Sequence, residues 1–326
     1  MKMLERHRAP QPIRRLNLLH RSNQRVASTD FERECHNYKC KMHIQASVPG
    51  ASEKPLPVSS STRPLFAPEQ EKLFREVLHV MNDAGVPYAV SGAFALQQHT
   101  GIWRDTKDMD LFLPAEHVPK ALETLLMDGF ECEICDPVWL AKAHRSDFYV
   151  DLICGMSNGV ILVDQSWIEH ASWAEIVGVR TRVLAPEELI ASKLFVTRRE
   201  RFDGADIAHV IFGTRGRIEW KRLFELVGEH WEVLLWALIL FRYVYPAQTF
   251  YVPRQVWDEL LQRFQRELKH PDPHASFRGS LIDEKMFAID VYEWGMEDLV
   301  ESYRQQRLPK LALPANIGRP RERKAS

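Results

Sequence analysis

The sequence predicts an α+β protein: a small mixed β-sheet with helices against one face, followed by a helical C-terminal region. Three observations carry that prediction. Residues 108–113 alternate, with Met109, Leu111 and Leu113 on one side and Asp108 and Asp110 on the other, the period-two pattern of a half-buried strand. The run FYVDLICG is apolar apart from Asp151 near its middle, and reads as another strand. Glu69 to Ala84 places Leu73, Val77, Val80 and Met81 at helical spacing, and helical periodicity dominates again from Pro186 onward.

Taken in order, residues 1–68 differ from the rest of the chain. They carry Pro10, Pro12, Pro49, Pro55, Pro57, Pro64 and Pro68 out of 19 prolines, together with the turn-rich stretch SVPGASEKPLPVSSSTRP. Such a segment lacks the periodic apolar residues needed to pack, and the expectation is a disordered extension. Its Arg-rich start is interrupted by Pro10 and Pro12, which argues against an amphipathic transit helix. Cys35, His36, Cys40 and His43 lie close together there, but their spacing matches no common zinc finger. The five cysteines, an odd number, point to a reducing compartment rather than a disulfide framework, hence a cytoplasmic protein. A formal net charge of −1, with 27% charged and 45% hydrophobic residues, is an ordinary globular composition and argues against bulk nucleic-acid binding.

The packed core is expected over 69–185. Helix 69–84 ends at Gly85; strand 87–90 follows, then a Ser91-Gly92 turn and helix 93–99. After the aspartate strand come helix 116–127, stopped by Gly129, and strands 131–135, 148–154, 160–163 and 177–184. Cys132 and Cys135 fall in a strand, where ordinary thiols are expected. The helical region spans 186–318. PEELIASKLFVTRRERFD opens it with an acidic start that suits a helix N-terminus, and Arg198, Arg199 and Arg201 read as a solvated helix face. Helices follow around DIAHVIFG, WKRLFELVG, HWEVLLWALILFRYVY, 254–268 and 284–294, and residues 319–326 form a basic tail. The apolar run 233–241 is too short to cross a bilayer and reads as a buried helix, so no membrane association is expected.

The chemistry centres on YAVSGAFALQQHTGIWRDTKDMD and the later Asp151. Side chains two apart on a strand are roughly 6.5–7 Å apart at their bases. Two carboxylates at that spacing can converge on paired divalent ions about 3.5–4 Å apart. A glycine-containing turn after a strand, a helix, an Asp-apolar-Asp strand and a further strand with a single Asp resembles the nucleotidyltransferase superfamily, with its DNA polymerase beta-like fold. The run RDTKDMDLFL is similar to the bacterial substrate-modifying and toxin–antitoxin branch. The resemblance covers roughly 68–212.

It implies a magnesium-dependent transfer of NMP from an NTP such as ATP to a hydroxyl acceptor. Asp108 and Asp110 would bridge two Mg2+ ions, with Asp151 completing the ion nearest the acceptor. It also implies nucleotide contacts from Ser91, Gly92, Arg104, Lys107 and Lys193. The chain departs from the usual turn, because Gly92 precedes Ala93 and the serine stands before the glycine instead of after it. That departure favours an alternative, a catalytically inactive nucleotide-binding or interaction module on the same fold. A small molecule, a tRNA end and a protein side chain all remain open as acceptors.

Overall fold

The structure is a computed structural model and describes residues 66–306 and residue 311. Residues 1–65 of the expected extension, its Cys/His cluster and the basic tail lie outside the described residues, whereas Phe66 packs against Phe74 and Pro68 already begins a helix. Helix α1 (Pro68–Asp83) begins at a proline suited to the first turn and buries Leu73, Phe74, Val77, Leu78 and Met81, one stripe at helical spacing. Strand β1 (Ala89–Val90) leads through Ser91 into α2 (Gly92–Thr100), and β2 (Asp108–Phe112) follows. Next come α3 (Val118–Met127), β3 (Glu131–Asp136), β4 (Leu140–Arg145), β5 (Phe148–Ile153), α4 (Gln165–His170), β6 (Ser172–Ile176) and β7 (Val179–Val183). The remaining elements are α5 (Pro186–Lys193), the hairpin β8 (Thr197–Arg198) and β9 (Arg201–Phe202), α6 (Gly204–Gly213), α7 (Trp220–Val227), α8 (Trp231–Val244), α9 (Arg254–Lys269), α10 (Gly279–Ile282), α11 (Ala288–Tyr292) and α12 (Leu299–Gln305).

Strands β1 to β7 form one mixed sheet in the order β3-β4-β5-β2-β1-β7-β6. The pairs β1/β7 and β2/β5 are parallel and the others antiparallel. Helices α1 and α3 pack against the sheet, while α2 packs on α5 and α6. Met109 and Leu111 are fully buried, whereas Asp108 and Asp110 on the opposite side of β2 are half-buried. The α+β class and mixed sheet are as expected.

The differences are local. Strand β4 was not foreseen, although Ala141 and Ala143 alternate with Lys142 and His144. Residues 160–163 make only an isolated bridge, from Leu162 to Gly155. The stretch 177–184 is shortened, because Val177 and Gly178 form a left-handed turn that joins β7 to an unforeseen β6. Helix α5 stops at Lys193, and Arg198, Arg199 and Arg201 sit on a hairpin instead of a helix face. Only a short helix occupies 284–294. Helix α8 buries Leu234, Leu235, Leu238 and Phe241, but Trp236 and Ile239 are 48% and 51% exposed, so the apolar run is covered on one side only. Among the described residues no helix is long and apolar enough to cross a membrane.

The helical layer is tied to α5 by a buried charge. Glu188 is 0% exposed; the Arg222 Nε donates to its Oε1 at 2.9 Å, and its Oε2 has no hydrogen-bond partner among the described residues. Burial raises the Glu188 pKa, and Arg222 offsets that only in part. Arg222→Ala is expected to destabilise the fold by about 3–5 kcal/mol, because one buried charge loses its partner. The folded protein holds this proton more tightly than the unfolded chain does. Glu188's contribution is therefore complete below the unfolded value of ~4.3 and is lost as pH rises through the higher folded value, more steeply without Arg222. Urea unfolding of both proteins across that pH range is the measurement.

Candidate functional site

Strand register assembles the site. Asp110 on β2 is the parallel partner of Asp151 on β5, and Asp151 is the antiparallel partner of Lys142 on β4. Direct partners project from the same face, so Lys142, Asp151 and Asp110 form a row across the sheet at about 4.8 Å per strand. The neighbouring row runs His144, Tyr149, Asp108. The three predicted aspartates thus share one face.

The approach to β2 is fixed by packing. Trp103 meets Phe94 and Phe66 edge-on at 5.3 and 5.5 Å, and Phe74 joins the same aromatic cluster. Gln70 on α1 donates to the Thr106 carbonyl at 3.0 Å, and the Thr106 hydroxyl donates to Asp108 Oδ1 at 2.5 Å. Ser91 is buried at the start of α2, and its N–H donates to the Asp110 carbonyl at 2.8 Å. Gly92 has φ +58°, and a Cβ built there would fall inside the Asp110 carboxylate. The glycine is therefore required twice, for its left-handed backbone and for the close approach of Asp110.

The positive groups are arranged differently from what the sequence suggested. The Lys193 ammonium is buried and bonded to Asp203 at 2.8 Å and Asp206 at 2.9 Å. Arg104 pairs with Asp206, and Lys107 is exposed. Arg201, 69% exposed at its side chain, is held by both oxygens of Asp203 at 3.1 Å. Its charge also acts on Asp108 and Asp110. Lys142 Nζ lies 2.6 Å from Asp151 Oδ1. Sequence reasoning missed Lys142, Tyr149, Arg201, Asp203 and Asp206. The alternation in LAKAHR was the available signal for Lys142; the pairing of Lys193 with Asp203 and Asp206 has no local signature.

The electrostatics show a site short of positive charge at Asp110. Its pKa is pushed up to about 7, by burial first and then by Asp108 and Asp151, with Lys193 and Arg201 pulling the other way. Burial also raises Asp151, and Lys142 opposes that. Among the described residues no group of three or more His, Cys, Asp or Glu is arranged to hold a metal ion. A magnesium ion, however, needs only one or two carboxylates and completes its shell with water and phosphate oxygens. Asp108 and Asp110 meet that demand, and the oxygen-only donor pair suits a hard cation.

Gly92→Ala is expected to lower stability by about 1–2 kcal/mol from the left-handed backbone alone, with a further loss from the collision with Asp110. Asp110→Ala removes the colliding oxygen, so the double variant is expected to be more stable than the sum of the single effects predicts. Denaturant melts of the four proteins form the cycle that checks this.

Among solved structures, ANT(2'')-Ia in complex with adenylyl-2''-tobramycin is similar at 16% identity, covering 54% of this chain and 99% of that one with a TM-score of 0.34. An antigenic nucleotidyltransferase-like protein from Paracoccidioides brasiliensis is similar at 17% identity, covering 58% and 96%, with a TM-score of 0.40. The lincosamide antibiotic adenylyltransferase LnuA, lincomycin-bound, is similar at 17% identity, covering 43% and 95%, with a TM-score of 0.32. No curated protein matches the chain. Residues 70–232 match the family described as nucleotidyl transferase of unknown function (DUF2204), and the chain belongs to that family of nucleotidyl transferases.

Proposed function

We propose that the protein transfers a nucleoside monophosphate from a nucleoside triphosphate to a hydroxyl group, with Asp108, Asp110 and Asp151 as the reacting site. The observation that supports this most is the register that sets Asp110 beside Asp151, with Asp108 two residues away on the same face. Asp108 and Asp110 would hold the magnesium of the bound triphosphate, which supplies charge neutralisation at the phosphates. The acceptor oxygen attacks the α-phosphorus as the bond to the bridging oxygen breaks. Pyrophosphate leaves, and the hydroxyl proton passes to Asp151.

The start of α2, whose backbone amides favour anions, and the Ser91 hydroxyl are assigned to the triphosphate. So are Gly92, which lets the chain approach, and the exposed Lys107. Arg201 joins them, because its guanidinium is exposed while Asp203 fixes its position. Lys193 and Arg104 act through Asp203 and Asp206, which they hold. In this reading 69–185 carries the chemistry, and the helical 186–318 contributes the network that frames it. The acceptor is a hydroxyl on a small molecule, a tRNA or a protein.

Asp110→Asn and Asp151→Asn are each expected to slow transfer at least about 100-fold. Asp151→Asn should still bind Mg-ATP within a few-fold of wild type. Pyrophosphate release with each of the common triphosphates, run against panels of hydroxyl acceptors and paired with equilibrium binding, is the test. Full activity in Asp151→Asn overturns the assignment. Wild-type protein that binds Mg-ATP and releases no pyrophosphate with any acceptor shifts the reading to a binding module.

A further inference from the structure

Among the three aspartates, Asp151 already has a cation. Lys142 stands directly opposite it on β4, with Nζ 2.6 Å from Oδ1. The same ammonium lies 3.9 Å from the centroid of the Tyr149 ring, and Tyr149 is the register partner of Asp108. Both members of the ion pair are shielded, at 22% exposure for Lys142 and 13% for Asp151. Exposed ion pairs between flexible side chains contribute little and wander. This one is fixed by strand register, by a short charge-assisted bond and by an aromatic face. A full positive charge therefore sits on the β4 side of Asp151. Asp110, on the β2 side, faces the charges of Asp108 and Asp151 and has no cation in direct contact among the described residues, the charges of Lys193 and Arg201 offsetting them only in part.

We propose that Lys142 fills the acceptor-side cation position, so that the site takes one divalent ion, on Asp108 and Asp110, instead of two. The proposal rests on the magnesium reading of the site. In it Lys142 is a positioning residue. It orients Asp151 through Oδ1 and supplies the charge that a second ion would otherwise bring. A second cation held through Asp151 would compete with the Lys142 ammonium for the charge of that carboxylate.

The test counts ions. Full-length protein is titrated with Mn2+, and bound metal is read from the loss of the free-ion electron paramagnetic resonance signal, with and without a non-hydrolysable ATP analogue. The expected result is one ion for wild type and none for the double variant Asp108→Asn/Asp110→Asn. Lys142→Arg should keep one ion. Lys142→Met and Lys142→Gln, verified as folded by circular dichroism, should each gain a second ion that is lost again when Asp151→Asn is added. Two ions in the wild type, or a single ion in both folded neutral variants, overturns the role of Lys142 and leaves the magnesium reading standing. No ion in the wild type under either condition overturns the magnesium reading itself.

Discussion

The parallel pairing of β2 with β5 is the constraint on which the rest of the site depends. It places Asp110 directly beside Asp151 on strands whose other face buries Met109, Leu111, Val150 and Leu152 completely. Two carboxylates at that separation repel each other, and partial burial removes the water that would screen them. Burial first, and then the charges of Asp108 and Asp151, push the Asp110 pKa up to about 7, with Lys193 and Arg201 offsetting this only in part. A carboxylate in that condition gains more from a cation than a solvated one does. Strand geometry thus gathers three carboxylates on one face of the sheet.

The surrounding charges divide the work. On the β4 side Lys142 meets Asp151. On the opposite side the buried set of Lys193, Asp203 and Asp206 joins α5, the β8/β9 hairpin and α6, and Arg104 extends it to the loop before β2. Burying a lysine costs free energy unless its donors find acceptors, and here two aspartates receive them. The consequence is mechanical as much as electrostatic. The hairpin that presents Arg201 is anchored at Asp203, so its guanidinium is held while remaining open to solvent. Helix α6 and the end of α5 therefore hold the hairpin that carries Arg201.

Gly92 shows how one residue can answer to two demands. A glycine after a strand and before a helix reads as a place for phosphate to approach. In the folded protein the nearest group is the protein's own Asp110 carboxylate. The glycine admits the aspartate to the helix start, where the backbone dipole favours a negative charge.

The sequence by itself determined the class of fold, the helix α1, the aspartate strand and the apolar strand that carries Asp151. All of these are local: periodicities of two and 3.6, and a charged residue inside an apolar run, are written in adjacent positions. It also carried, unread, the alternation of β4. Only tertiary structure decided which charges face each other. Lys193 and Asp203 are ten residues apart, and Lys142 and Asp151 nine, and nothing in either spacing names the partner. Lys193 looked available for a phosphate and is paired with two aspartates; Arg201 looked like a helix-face charge and is instead held by Asp203 on a hairpin. The reason is that an ion pair is set by where strands and turns bring two side chains in space. That depends on the β4/β5 register and on where α5 ends, which no local pattern specifies.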